Sequence, residues 1–448
     1  MNSPPVRVPL NRSEHMYWAG EGYLGPINQA YMLRLDRHVD EALVRQTLRE
    51  LNSAFPRLRG VLDPGWWSFK LRILPDDLII DQLFDDAYRV QRGVDPSDRS
   101  ALQSFHTEFM NEPISLERGL PWRARFLPHP TQPALLFSVH HIIGDGRSMV
   151  QMVTAIMGRL SGQPIRPCPL GSPSMVAAVT PPRWRDWPST ITAWRRVRRA
   201  DRQRALGQQV ITLASRRSER YTTSAVRYHE LNCQPDELRA TAKAMGTTVN
   251  TLIIAVLANS FLARSPNNPQ AVAAIRMSID LRRFLPEARQ AEFGNFVSSF
   301  AVRATHQASL QAQIRDVDAQ IKENMARYEQ RVYALPLMLA ELLPWVGRTL
   351  YSHLILKLKR RHQLPPLSCH FSNLGSAEMV HPATPQVRVE ELWPTTLSTA
   401  LIIGLVSLSG KLFLSVIRQC DETDDSDLDG FLAVLDEQLE GLSAPVEA

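Results

Sequence analysis

The feature that most constrains the fold of this chain is the heptapeptide His-His-Ile-Ile-Gly-Asp-Gly at residues 140–146. It directly follows the apolar run Ala-Leu-Leu-Phe-Ser-Val at residues 134–139, which has the length and composition of a buried strand. A helical pattern covers residues 145–160. The two histidines therefore stand where a strand ends and a loop begins, a position at which a rigid scaffold often holds reactive groups.

Residues of this motif are candidates for proton-transfer chemistry. Histidine is the side chain best suited to move protons near neutral pH. Gly146 lacks a Cβ, which suits a tight turn or a close approach of the backbone to another group. From the residue types alone, Asp145 could serve a histidine–aspartate relay. We predict an active site at this loop, with a purely structural role of the motif as the alternative.

The motif resembles the His-His-x-x-x-Asp-Gly signature of the chloramphenicol acetyltransferase-like superfamily, which includes the condensation domains of nonribosomal peptide synthetases and alcohol acetyltransferases. Three further stretches are similar to elements of that family, namely residues 113–127, Asp-Leu-Arg at 280–282 with Phe-Gly-Asn at 293–295, and Ser-Asn-Leu-Gly at 372–375. The resemblance extends over nearly the whole chain. It implies an α/β fold of two chloramphenicol acetyltransferase-like lobes in a V shape with a central tunnel.

The resemblance also implies roles for individual residues. His141 matches the family's second histidine, the general base, and we group His140 and Gly146 with it as catalytic-loop residues. His140 is expected to pack and orient the loop, and Gly146 to permit close backbone approach. Asp145 is expected to form a structural ion pair, for which Arg282 is the candidate partner.

Three polar residues are predicted to line the tunnel. Ser372 and Asn373 are placed near the acyl carbonyl, and Asn295 belongs to the Phe-Gly-Asn element. Turn formation is the alternative for all three, because serine and asparagine favour turns. The Asp-Phe-Gly-Trp-Gly sequence of plant alcohol acyltransferases is absent, which favours a microbial condensation-like or alcohol acetyltransferase-like enzyme.

The resemblance implies an acyltransferase that moves an acyl group from a thioester to a hydroxyl by direct attack, in secondary metabolite or lipid biosynthesis. The donor would be acyl-CoA or a phosphopantetheine-linked thioester on a carrier protein. We expect a stand-alone enzyme with no permanently bound cofactor and no metal. An amide-forming enzyme with an amine acceptor and a non-catalytic recruitment platform are the alternatives.

The chain carries an excess of positive charge, which indicates either an anionic partner or a solvent-exposed basic surface. The net charge is +6 and the pI is near 9.3. An acidic carrier protein, the phosphates of coenzyme A or an anionic membrane surface would suit it, and a solvated face is the alternative. Nucleic acid is not predicted, because no binding motif accompanies the charge. The basic residues cluster at Arg195, Arg196, Arg198, Arg199, Arg202 and Arg204, and at Lys357, Lys359, Arg360 and Arg361.

The composition, and the prolines and glycines that interrupt regular structure, divide the chain into three parts. They are an N-terminal lobe at residues 1–165, a linker with a basic helix at 166–220, and a C-terminal lobe at 221–448. Prolines and glycines at residues 162–190 predict irregular structure, followed by the basic helix at 191–208. Other helices are predicted at 39–54, 235–245, 251–263 and 427–442. Strands are predicted at 67–73, 122–127, 226–231, 272–279, 296–302, 399–405 and 412–417, with a hairpin turn at Ser409-Gly410.

The remaining features concern location and assembly. The apolar segment at residues 333–346 is interpreted as a buried helix between the lobes, with contact to a bilayer as the alternative. The N-terminus lacks the apolar core of a signal peptide, and no 18-residue apolar run occurs. The four cysteines lack metal-ligand spacing. We therefore expect a cytoplasmic, reduced, monomeric protein.

Overall fold

The computed structural model describes residues 6–63, 70–171, 174–216, 223–289, 292–342, 348–361, 363–364, 366–396 and 400–443. Its strands are β1 Arg7–Pro9, β2 Asn28–Leu35, β3 Gly60–Asp63, β4 Lys70–Ile73, β5 Tyr88–Val90, β6 Trp122–Leu127, β7 Ala134–His140, β8 Gln209–Val210, β9 Ser224–Leu231, β10 Ala271–Asp280, β11 Val297–Thr305, β12 Cys369–Ser376, β13 Val389–Thr396, β14 Ile402–Leu408 and β15 Lys411–Gln419.

Helices alternate with these strands, so the fold is α/β as predicted. The helices are α1 Arg12–Leu24, α2 Glu41–Ala54, α3 Leu78–Ala87, α4 Arg99–Asn111, α5 Gly146–Leu160, α6 Val176–Val179, α7 Trp187–Ala205, α8 Pro235–Ala244, α9 Val249–Leu262, α10 Leu310–Glu329, α11 Ala334–Ala340, α12 Arg348–Arg360 and α13 Asp425–Ser443.

A five-stranded sheet, here called the N-terminal sheet, carries the histidine motif at its centre. Its strand order is β13-β2-β7-β6-β5. Every residue of β7 is buried, which is why five of its seven residues are apolar. The edge strand β13 comes from the distant C-terminal part of the chain and pairs antiparallel with β2. The predicted division of the sequence at residues 165 and 220 does not foresee that a C-terminal strand joins the N-terminal sheet.

The second main sheet, here called the C-terminal sheet, has seven strands in the order β11-β10-β12-β14-β15-β9, with β8 beside β10. Helix α9 packs on it and is buried along most of its length, in keeping with its apolar sequence. The hairpin between β14 and β15 turns at Ser409 and Gly410, which both have positive φ. The predicted turn is therefore confirmed, and its two-residue geometry is the one that matches the twist of paired strands.

The segment predicted as a linker differs from the expectation in two respects. Residues 176–179 form α6, in which Ala178 and Val179 are buried in the same core as α9. The basic helix begins at Trp187 rather than at residue 191, and it ends at Ala205. Pro188 explains the earlier start, because proline is well suited to the first turn of a helix, where its missing N–H is not needed.

The interpretation of residues 333–346 as a buried helix is wrong for its described part. Helix α11 contacts α6 and α7, but Ala334 is its one buried residue, and Leu339 is 51% exposed. Residues 343–346 of this prediction lie outside the described residues. Membrane contact therefore stays a prediction. Among the described helices, none alone has the length and apolarity to cross a membrane, and α8 with α9 qualifies only as a pair bent by 92°.

Candidate active site

The end of β7 positions the two histidines. His140 is the last residue of the strand and pairs with Asn28 of β2. The backbone N–H of His141 then donates to the carbonyl of Ile27 at 2.9 Å, so the loop leaves the sheet still tied to the neighbouring chain segment. The strand-to-loop placement predicted from the apolar run is thus present, and it fixes the backbone on which both imidazoles stand.

His140 is fully buried and its two ring nitrogens face partners inside the protein. Nδ1 accepts the backbone N–H of Ile142 at 3.2 Å, which leaves the ring proton on Nε2. Nε2 lies 3.0 Å from a carboxylate oxygen of Glu21 on α1. Because the ring is fully buried, with Nδ1 hydrogen-bonded and Nε2 facing Glu21, His140 can position the loop but is poorly placed to exchange protons with a substrate.

His141 is held by side chains from several parts of the chain. The ring of Tyr17 on α1 stacks on the imidazole with centroids 3.7 Å apart and planes 14° from parallel. The amide nitrogen of Gln29 on β2 lies 3.3 Å from Nδ1 and also donates to the carbonyl of Gly144. The amide of Asn295, which precedes β11 of the C-terminal sheet, donates to the carbonyl of His141. Tyr17 and Gln29 therefore hold the ring of His141, and Asn295 holds its backbone.

Burial keeps His141 neutral. Only 8% of the residue is exposed, and desolvation lowers the pKa of its imidazole to about 4. Its own carbonyl oxygen, the charge of Asp145 and the side chain of Asn295 favour the protonated form but do not outweigh desolvation. A neutral imidazole carries one unprotonated ring nitrogen. At neutral pH the ring is therefore able to accept a proton.

Asp145 and Arg282 form a buried, two-point ion pair. The guanidinium donates from Nη1 at 2.7 Å and from Nη2 at 3.1 Å to the two carboxylate oxygens. The backbone N–H groups of Ser148 and Phe296 donate to the same carboxylate, and the first of these bonds caps the start of α5. With four donors around it, the carboxylate is committed to structure. It therefore offers no free oxygen for a relay to His141.

The other side of Arg282 is equally well matched. Its Nε donates to the carbonyl of Glu292, and Nη2 donates to the carbonyl of Gly294 at 2.8 Å. The guanidinium also lies 4.4 Å from the centre of the Phe296 ring, a favourable cation–π geometry. Burial opposes the charge, but the carboxylates of Asp145 and Asp280 outweigh it and raise the pKa of the guanidinium. This pair joins the histidine loop to the chain segment between β10 and β11.

The two glycines of the motif stand in tight places. A Cβ on Gly146 would lie 2.9 Å from a terminal methyl of Leu374, next to the tyrosine hydroxyl of Tyr31. A Cβ on Gly144 would lie 2.5 Å from the Cβ of Ser148. The loop thus passes within contact distance of the strand that contains Leu374, and Gly144 is the more tightly enclosed of the two glycines.

The three predicted tunnel residues are placed differently from one another. Asn295 is fully buried and braces the backbone of His141, as described above. Asn373 bonds Asn250 at the start of α9 and accepts the N–H of Gly375, which is a turn-forming role. Ser372 stands two residues after His370 on β12, and both are half-buried. Of the three, Asn295 touches His141, whereas the side chain of Asn373 is occupied by Asn250 and by its own turn.

Several residues near the site carried no signal in the sequence. Tyr17 and Gln29 contact His141, yet they lie in an ordinary helix and strand. Arg57 donates to the Ile142 carbonyl at 2.8 Å and pairs with buried Glu14, which completes a capping box at the start of α1. The capping pattern Asn-x-x-Glu at residues 11–14 was a detectable sign of that helix start.

No family model matches the chain. A stretch of 75 residues is 32% identical to the polyketide synthase PksN of Bacillus subtilis (strain 168). This stretch is 17% of the chain and 1% of that protein.

Solved structures resemble the chain over nearly its whole length. The trichothecene 15-O-acetyltransferase TRI3 from Fusarium sporotrichioides has a TM-score of 0.71 at 13% identity, with 99% of this chain and 96% of that chain covered. The first condensation domain of the CDA synthetase has a TM-score of 0.70 at 15% identity, covering 99% and 97% of the two chains. The condensation domain of the monacolin K polyketide synthase MokA has a TM-score of 0.62 at 14% identity, covering 99% of each. The chain therefore has the chloramphenicol acetyltransferase-like fold that condensation domains share, as the resemblance predicted.

Proposed function

We propose that this protein is a thioester-dependent acyltransferase with His141 as the general base. The observation that carries the proposal is a neutral, buried imidazole at a strand end, stacked by Tyr17 and braced by Asn295. Acyl transfer needs such a base to take the proton of the acceptor as the acceptor attacks the thioester carbon. The fold likeness to an acetyltransferase and to condensation domains supports this reaction class.

In the proposed reaction the acceptor hydroxyl attacks the thioester carbonyl while His141 takes its proton. The new C–O bond forms, the tetrahedral oxyanion collapses, and the C–S bond breaks. The imidazolium returns the proton to the departing thiolate, so the products are an ester and a free thiol. No bond to the enzyme forms at any step. An amine acceptor would react in the same way and give an amide. Amide formation is the second candidate function, because condensation domains are among the structural neighbours.

The donor would be acyl-CoA or an acyl group on the phosphopantetheine arm of a carrier protein. Exposed arginines on α7, namely Arg195, Arg196, Arg198, Arg199 and Arg202, support a docking surface for an acidic carrier. Complementary charge of this kind chiefly accelerates the encounter of two proteins.

Mass spectrometry of products tests the proposal. Purified protein is mixed with acyl-CoA or carrier-bound acyl thioesters and with matched alcohols and amines that differ only in the nucleophile. We expect a new ester or amide, lost in His141→Ala and kept in His38→Ala, which removes an exposed histidine. Product formation that survives in folded His141→Ala would contradict the role of this base, and the nature of the product decides between ester and amide.

A further inference from the structure

Polar side chains cover one face of two paired strands in the C-terminal sheet. Arg276 and Ser278 of β10 alternate with buried neighbours, and β12 presents His370 and Ser372 in the same way. Arg276 stands opposite His370 in the parallel register of the two strands. The opposite face, with Ile275 among others, packs into the C-terminal core. We call the four polar residues the polar strand face.

This face lies beside the histidine loop, because Leu374 on β12, two residues after Ser372, lies against Gly146 of that loop. The ring of His370 shares a hydrogen bond of 2.9 Å with the hydroxyl of Ser278. Burial lowers the pKa of His370 to about 4, and the charge of Arg276, with that of His141 whenever its ring is protonated, acts in the same direction. His370 is therefore within electrostatic range of both the guanidinium and the imidazole proposed as base.

Arg276 is a cation without an ion-pair or hydrogen-bond partner among the described residues. In the part of the chain that the structure describes, its guanidinium has no hydrogen-bond acceptor and no carboxylate within ion-pair distance. The side chain is half-buried, and desolvation is the sole influence that lowers its pKa. A desolvated charge without a counter-charge is costly. Arg282, which is near in sequence, has six oxygen acceptors for the same chemical group.

We propose that Arg276 binds a carboxylate that the acyl group or the acceptor carries, so that the enzyme selects an acidic substrate. The inference rests on the proposed acyl transfer. A planar guanidinium matches a carboxylate with two parallel hydrogen bonds, and it stays charged at any physiological pH. The pantetheine arm of a donor separates its phosphate from the thioester carbon, so a group on the strand face beside the histidine loop is placed to meet the reacting part of the substrate.

Matched neutral and acidic substrates test this inference. The donor pair is butanoyl and succinyl N-acetylcysteamine thioester, and the acceptor pairs are hydroxy and amino acids against their amides. We expect the wild type to prefer the acidic member of one pair by roughly 10- to 100-fold in kcat/KM, the range for a hydrogen-bonded charge pair. The pair that shows the preference identifies whether donor or acceptor carries the carboxylate.

Variants then assign the preference to the side chain. Arg276→Gln should abolish the preference and leave turnover of the neutral member within about 3-fold, and Arg276→Lys should keep part of it. Arg303→Gln on β11 is the matched control and should keep it fully. Turnover without any acid preference overturns this inference alone, whereas no turnover with any pair overturns the proposed function as well. If Arg276→Gln impairs an acyl-CoA donor but not its N-acetylcysteamine counterpart, the group bound is a phosphate and the carboxylate proposal is wrong.

Discussion

Two arginines that lie six positions apart show how a structural site differs from the binding site that we propose. Arg282 is fully buried and is matched by carboxylates, carbonyls and an aromatic ring. Arg276 is half-buried on a polar face and has no partner among the described residues. The Arg282 charge, paired with Asp145, fixes the loop that carries His141. The Arg276 charge, in our proposal, is available to bind a ligand. Variants at the Asp145–Arg282 pair should therefore lower the stability of the protein, whereas variants of Arg276 should change the choice of substrate.

The largest effect is expected for the matched pair. Asp145→Ala leaves the Arg282 guanidinium buried without its main counter-charge, and breaking such a pair on one side costs about 3–5 kcal/mol. We expect that loss in the free energy of unfolding, measured by denaturant titration. Asp98→Ala, which removes the exposed cap of α4, is the control and should cost about 1 kcal/mol. Equal stability of the two variants would contradict the structural role of Asp145.

The glycines of the motif give a smaller contrast. Gly144→Ala brings a Cβ within 2.5 Å of the Ser148 Cβ, which is anchored in α5, so the loop must shift. In Gly146→Ala the atom met is a terminal methyl of Leu374, which can rotate away. We expect Gly144→Ala to lose about 1–3 kcal/mol of unfolding free energy and Gly146→Ala less than half of that. The reverse order in thermal or chemical denaturation would show that the loop packs differently.

Exposed arginines on α7 should matter less, and only for a protein-bound donor. Reversal of Arg195, Arg196 and Arg199 to glutamate is expected to raise the KM for a carrier-bound thioester about 3- to 10-fold at low salt. The effect should fade at high salt, because screening shortens the range of exposed charges. A minimal thioester should be used as before, and reversal of exposed Arg89 and Arg118 is the control. Unchanged KM for the carrier-bound donor at low salt would favour acyl-CoA.

The smallest change is expected from pH. The pKa of His141 is lowered to about 4, so the imidazole stays unprotonated when the pH falls through 6.5, where an ordinary histidine gains its proton. We expect kcat/KM at pH 5.5 to remain within about 2-fold of its value at pH 7. A decline of kcat/KM toward acid pH with an apparent pKa near 6.5 would contradict the lowered pKa of His141. A substrate whose own ionisation is constant over this range serves as the control.

The sequence predicted those parts that depend on local pattern. Strand β7 and helix α5 follow from an apolar run and a helical repeat around one motif, and Ser409-Gly410 follows from turn chemistry. Helix α1 was missed, because its polar and apolar residues lack a clear helical repeat. Strand β13 was missed as well, since its place depends on pairing with residues 28–35, which are more than 350 positions away.

The candidate site divides in the same way. The resemblance pointed to Arg282 as the partner of Asp145, and the two side chains meet in the structure. Tyr17 and His370 gave no sign in the sequence, because a tyrosine in a helix or a histidine in an alternating strand is ordinary. Only the chain path brings the Tyr17 ring onto His141, and only the register of β10 with β12 sets His370 beside Arg276.

The adjacent histidines provide the most direct test of the central claim that His141 is the base. Kinetics and thermal denaturation are measured for His141→Ala and His140→Ala with the donor and acceptor found for the wild type. We expect His141→Ala to keep its fold and lose about 10²- to 10⁴-fold in kcat, while His140→Ala loses stability through its buried contacts with Glu21 and Ile142. A folded His141→Ala that turns over at the wild-type rate would contradict the account.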